Sequence, residues 1–187
     1  MLASEAHVKC VVKNLKKVDF GSYILDPVMI AKGGHKLLED NAIDSIKNEL
    51  LPLSTLITPN IPEAEVLTGL EIESKEDMVK AANHLKKLGA TNVVIKGGHR
   101  DSNYSDDYVL LENESFWLRG KRIDTNRTHG TGDTFAACIT SELAKGETLR
   151  ASIITAKKFI QSAVQHGIQV GHGPVSYTHL TLPTTPY

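Results

Sequence analysis

The chain has 187 residues, enough for one domain with a sizeable core. With 21 basic against 22 acidic residues and a formal net charge of -1, it carries no electrostatic footprint for nucleic acid or an anionic membrane surface, which leaves a small molecule as the expected partner. Cys10 and Cys138 are too few and too far apart for a disulfide scaffold or a zinc motif, and together with the lack of a signal-peptide layout or a run of roughly 18 apolar residues they point to the cytoplasm.

In chain order, EAHVKCVVKNLKK at residues 5–17 sets Ala6, Cys10, Val11 and Leu15 at helical spacing with lysines opposite. The apolar run YILDPV then predicts a short strand stopped at Pro27. The order repeats: NAIDSIKNELLPL predicts a helix and STLITP a strand, and SKEDMVKAANHLKKLGA predicts a helix before the strand TNVVIKGG. Ser74 and Asp77 have capping-box spacing at the start of that helix, and Gly89 stands at its end. Helix-then-strand units of this kind argue for an α/β fold with a mostly parallel sheet flanked by helices. DYVLLENESFWLRGKRID reads as a hairpin turning near Glu112, Asn113 and Glu114, so the sheet is expected to be mixed. Residues 131–144 and 149–166 read as two closing helices separated by a break at 145–148.

Both ends depart from this pattern. The opening helix has no strand before it, whereas a doubly wound sheet ordinarily opens on a buried strand, so an absent N-terminal portion is expected. Residues 176–187, SYTHLTLPTTPY, hold four threonines and two prolines with no core-facing period, and read as a non-native tail, a translated adapter scar. Residues 1–175 are then expected to form a single domain.

The stretch THGTGDTFAAC, residues 128–138, carries the strongest chemical suggestion. Gly130 and Gly132 let the backbone N–H groups converge, and a helix starting there adds the positive end of its dipole, which together make an anion hole. Asp133 could take a proton from a substrate hydroxyl while that hole holds phosphoryl charge. The plain alternative is a tight turn in which Asp133 only complements the helix dipole, and the segment alone does not choose. It lacks the spacing of a P-loop and follows a polar stretch, not the buried strand of a dinucleotide fingerprint.

Other candidates follow predicted strands. In TPNIPEAE, Asn60 and Glu63 could organise hydrated magnesium; in LDPVM, Asp26 could steady metal or phosphates; in VIKGGH, Lys96 could pair with phosphate oxygens. Each has an ordinary reading as a helix start, an Asp-Pro turn or a solvated strand end. Their common edge favours function, because ligands of open α/β sheets bind beyond the carboxyl ends of the strands. His7, His35, His84 and His166 are scattered without metal spacing, and His129 adjoins the loop where it could touch a phosphate or simply bond the turn.

Taken as an ordered set, DPVMIAKGG, LITPNIPEAEVLTG, VVIKGGH, THGTGDTFAACITSELAKG, AKKFI and GHGP resemble the hydroxymethylpyrimidine and phosphomethylpyrimidine kinases of thiamine biosynthesis. The resemblance implies a ribokinase-like α/β fold lacking its N-terminal portion, ATP with Mg2+, and two successive phosphoryl transfers onto a small-molecule pyrimidine substrate; it allows a homodimer. By that resemblance Gly130, Thr131 and Gly132 match the anion hole and Asp133 the base. Asn60, Lys96, Thr128 and Lys157 match the nucleotide side, Asp26 and Glu63 the metal site, and Val28 the pyrimidine pocket. Family members typically carry cysteine where this chain has Asp133, while aspartate is usual in the wider superfamily. That departure keeps pyridoxal kinase as the alternative activity, and the short length keeps a non-catalytic fragment as another.

Overall fold

The computed structural model describes residues 2–29, 37–98, 104–125 and 129–166. The chain divides into two compact units, Met1–Arg119 and Gly120–Tyr187. The first holds helix α1 (Glu5–Leu15), strand β1 (Ile24–Leu25), helix α2 (Asp40–Ser45), strand β2 (Leu56–Ile57), helices α3 (Ile61–Thr68) and α4 (Lys75–Lys87), and strands β3 (Val93–Ile95) and β4 (Tyr104–Leu110). Strand β5 (Ser115–Lys121) ends in the second unit, which holds helices α5 (Thr131–Ala144) and α6 (Leu149–Gln165).

The sheet has the order β1-β2-β3-β4-β5. β1, β2 and β3 run parallel, with Leu25 beside Ile57 and Ile57 beside Val93, and β3 meets β4 antiparallel with Val94 beside Val109. The expected mixed sheet is therefore present. Its parallel strands are shorter than the apolar runs suggested, because each run is spent partly on pairing and partly on the turn that follows. Val93, Val94 and Ile95 are buried throughout, as strands covered on both faces must be.

The core of the first unit is built by helices that present one apolar face. Val8 and Val12 of α1 and Met78, Ala81, Ala82 and Leu85 of α4 enter one cluster with Leu25, Ile57, Leu67 and Val93. The predicted capping box starts α4: Ser74 Oγ accepts the Asp77 N–H at 3.1 Å and Asp77 Oδ2 accepts the Ser74 N–H at 3.1 Å. A hydrogen bond from Lys80, then one from Ser74, holds the Asp77 carboxyl down at about 2.

The predicted second helix changes pitch along its length. After α2 the backbone widens to a π-turn over Ile46–Leu50 and tightens to a 3-10 turn over Leu51–Leu53. Pro52 supplies the cause of the tightening, since it has no N–H to continue an α-helical ladder. Leu50 and Leu51, at the junction of the two turns, are both fully buried. Ser54 closes the segment by donating from N and Oγ to Leu51 O, at 3.1 and 2.7 Å.

In the second unit α5 and α6 pack against each other. α5 buries Phe135, Cys138 and Ile139, and α6 buries Ser152, Ile153, Ala156 and Ala163. Thr148 caps α6 by accepting the Ala151 N–H at 3.3 Å, so the expected break lies where its chemistry requires.

Leu85→Ala removes a fully buried side chain from the first unit's core. The expected loss is about 2–5 kcal/mol in urea unfolding at unchanged slope. Ser74→Ala, which removes only the cap, is expected to cost about 1 kcal/mol.

Candidate functional site

The carboxyl ends of the three parallel strands bring Asp26, Asn60, Glu63 and Lys96 together in the first unit. Asp26 follows β1. Its Oδ1 accepts from Lys96 Nζ at 2.9 Å and from Thr58 Oγ1 at 3.1 Å, so a cation from β3 and a hydroxyl from β2 converge on one oxygen. Lys96 follows β3, where its N–H donates to Pro59 O at 2.8 Å and the residue bridges in parallel to Asn60. Val28, assigned to the substrate side, lies two residues beyond Asp26 and is half-buried, its N–H donating to Asp26 O at 2.9 Å.

Asn60 and Glu63 are not in an open loop. They form a reciprocal capping box at the start of α3: Asn60 Oδ1 accepts the Glu63 N–H at 2.9 Å, and Glu63 Oε2 accepts the Asn60 N–H at 2.8 Å. The N-x-x-E spacing was present in the sequence, and it fixes both side chains with backbone partners. Glu63 is only 3 % exposed. Burial pushes its carboxyl up from the ordinary value; the Lys96 charge and the Asn60 N–H pull it down, Asp26 pushes it up again, and the Met29 backbone pulls it down. The net direction is upward, so an ionised Glu63 sits here at a cost that Lys96 offsets in part.

Two contributors lay outside the residues singled out from sequence. Thr58 is one, a fully buried hydroxyl aimed at Asp26. Asp107 on β4 is the other, accepting the Gly97 N–H at 3.0 Å beside Lys96. In the sequence they are only a threonine after an apolar run and one of two adjacent aspartates before another; their burial marks them only in the folded chain.

The second unit carries the remaining candidates. Gly130, at φ 79, is the N-cap of α5, a left-handed conformation that favours glycine, and its O accepts the Thr134 N–H at 3.0 Å. As a glycine it has no side chain with which to cap this end. Thr131, Gly132 and Asp133 make the first turn, with Asp133 exposed, so the loop has the form of a helix N-terminus open to an anion with a carboxylate at its rim. Lys157 on α6 lies near the end of β5: a Cβ added to Gly120 would stand 3.0 Å from Lys157 Cε, and Gln161 Nε2 donates to Lys121 O at 2.6 Å. Thr128 lies outside the described residues.

The raised Glu63 carboxyl has a pH signature. A folded-state value above the unfolded one means the folded protein holds the proton more tightly, so Glu63 favours folding in acid, and that advantage is lost as pH rises above 4.5 through the folded value. Glu63→Gln keeps an acceptor for Asn60 without the charge. The unfolding free energy of the variant relative to wild type is expected to rise with pH from about 4.5 upward, where the wild-type group ionises. A flat difference in urea titrations across that range is the contrary result.

Comparison with known proteins supplies the identity of this framework. The sequence model described as phosphomethylpyrimidine kinase matches residues 1–178. The hydroxymethylpyrimidine/phosphomethylpyrimidine kinase of Haemophilus influenzae is 48 % identical over 183 residues, covering 95 % of this chain and 68 % of that protein. The protein of that name from Helicobacter pylori is 43 % identical over 169 residues, covering 89 % and 63 %. The chain thus spans about two thirds of the length of the relatives it matches. Among solved structures, the pyridoxal kinase from Staphylococcus aureus in complex with AMP-PCP is similar at a TM-score of 0.85 and 33 % identity, covering 96 % of this chain and 67 % of that one. The helix-flanked mixed sheet is the ribokinase-like arrangement that the sequence resemblance implied, and the chain belongs to the phosphomethylpyrimidine kinase family.

Proposed function

We propose that the protein to which this chain belongs transfers the γ-phosphoryl group of ATP to 4-amino-5-hydroxymethyl-2-methylpyrimidine, and then a second phosphoryl group to the resulting monophosphate. The observation that carries the reading is the convergence of Lys96, Asp26, Thr58 and Glu63 at the strand ends, in a chain of this family. The S. aureus neighbour, a pyridoxal kinase in complex with AMP-PCP, supports nucleotide use and makes pyridoxal the second substrate to weigh.

In this reading the accepting hydroxyl of the substrate loses its proton to Asp133 as its oxygen bonds to the γ-phosphorus, and the bond from that phosphorus to the β,γ-bridging oxygen breaks to release ADP. The N–H groups of residues 130–132 bear the charge on the phosphoryl oxygens, helped by the α5 dipole. Lys96 and Lys157 offer point charges to phosphates, Asn60 and Thr128 the polar lining on the nucleotide side, and Val28 an apolar surface for the ring. Positioning and electrostatics then carry the reaction, with little covalent chemistry left to the protein.

Magnesium fits the donors available. Asp26 and Glu63 are hard oxygen ligands, and the Asp26 charge adds to the cost of ionising the buried Glu63, so a cation there would relieve it. A pair of carboxylates is the kind of donor set that suits an ion which keeps its waters and binds through one or two of them. Bound there, magnesium would supply neutralising charge to the phosphates.

Asp133→Ala is expected to lower kcat by about 100- to 10,000-fold with little change in the KM for ATP. Turnover is measured with the hydroxymethylpyrimidine and with pyridoxal side by side. Normal turnover in the variant removes the base assignment, and a higher kcat/KM for pyridoxal transfers the substrate assignment to it.

A further inference from the structure

At the end of β3 the backbone changes partners. Val93, Val94 and Ile95 stand beside Leu110, Val109 and Tyr108, so continuing the register would set Lys96 opposite Asp107 and Gly97 opposite Asp106. Successive N–H groups of a strand point to alternate sides. The Lys96 N–H goes towards β2, to Pro59 O, and the Gly97 N–H therefore faces β4. There it meets the side chain of Asp107, whose Oδ1 accepts it at 3.0 Å.

This crossing leaves no room for a side chain. A Cβ on Gly97 would overlap the backbone carbonyl oxygen of Asp106, a neighbour that cannot swing aside as a flexible side chain could. Asp107 is itself only 3 % exposed. Burying a carboxylate is costly, and a charged acceptor makes a backbone hydrogen bond roughly twice as strong as a neutral one. That hydrogen bond falls at the peptide that follows Lys96, whose ammonium in turn reaches Asp26 at 2.9 Å.

We propose that Asp107 is a positioning residue: by gripping the Gly97 N–H it fixes the peptide after Lys96 and so holds the Lys96 ammonium on Asp26. It touches neither substrate nor phosphate in this scheme. Its consequence for nucleotide binding rests on the reading of Lys96 as a phosphate ligand; the backbone grip does not.

The test uses the full chain and its Asp107→Ala, Asp107→Asn, Lys96→Ala and Asp107→Ala/Lys96→Ala variants. In NMR hydrogen exchange, Asp107→Ala is expected to speed the Gly97 amide by about tenfold while Val94 keeps its rate, since one local hydrogen bond is lost. The Lys96 15Nζ signal, identified by its absence in Lys96→Ala, broadens in the same variant as its ion pair loosens. Asp107→Asn retains an acceptor oxygen and restores both signals, which a merely buried charge would not require. An unchanged Gly97 rate or an unaltered Lys96 signal in Asp107→Ala overturns the proposal, whatever the nucleotide data show.

Calorimetric titration with magnesium AMP-PCP then reads the coupling. Asp107→Ala is expected to weaken binding by about tenfold in the wild-type background and not at all in the Lys96→Ala background, the non-additivity of residues that act as one unit. Equal weakening in both backgrounds overturns the route through Lys96. Unchanged affinity in Lys96→Ala alone instead overturns the phosphate reading of Lys96, and the NMR arm still decides the positioning role.

Discussion

A buried carboxylate governs the strand-end cluster. Glu63 is almost fully enclosed, and enclosure alone would push its proton affinity up and its ionised form out. Its neighbours answer that cost in different ways: the Asn60 and Met29 backbones offer hydrogen bonds, and Lys96 offers charge. Asp26 works against Glu63, and it is held in place by the same lysine and by Thr58. Lys96 thus serves two acids: it pairs with Asp26 at 2.9 Å, and its charge pulls the Glu63 carboxyl down against the burial that pushes it up. Opposed charges around a buried, perturbed carboxyl at the strand ends are the kind of arrangement found at functional sites.

Register explains why a lysine stands there. Leu25, Ile57 and Val93 lie in one row across the parallel strands, which sets Asp26 level with Thr58; Lys96 is level with Asn60, two residues further along. Two residues of strand are about 6–7 Å. The four-carbon stem of lysine covers that offset and delivers a compact point charge with three donors, whereas a short polar side chain at 96 would stop above the row. The short strands matter for the same reason. β1 and β2 are two residues long, and α3 starts at Ile61, four residues after β2 ends, so Asn60 and Glu63 stand close to the strand ends. Stability is left to the helices, whose apolar faces form the larger part of the core.

How much of this could be read from the sequence follows from where each signal resides. Helices α4, α5 and α6 were legible because their periods are long and their ends carry local chemistry: Ser74 with Asp77, Gly130, Thr148. The pitch change at Ile46–Leu50 was not, since Leu50 and Leu51 satisfy a helical pattern and only the surrounding core decides that both must be inside. Asp26, Asn60, Glu63 and Lys96 were legible as a set through their shared position after strands. Thr58 and Asp107 were not, because each does its work through a partner distant in sequence, Asp26 for one and Gly97 for the other. A threonine after a strand and an aspartate near a hairpin are ordinary turn residues by composition. What distinguishes them is the hydrogen bond they complete, and sequence spacing does not encode a bond across sheet neighbours until the register is known. A functional lysine can be picked out by its own chemistry, while the residues that aim it are chosen by the geometry of the strand beside it. They become visible only once that strand has a register.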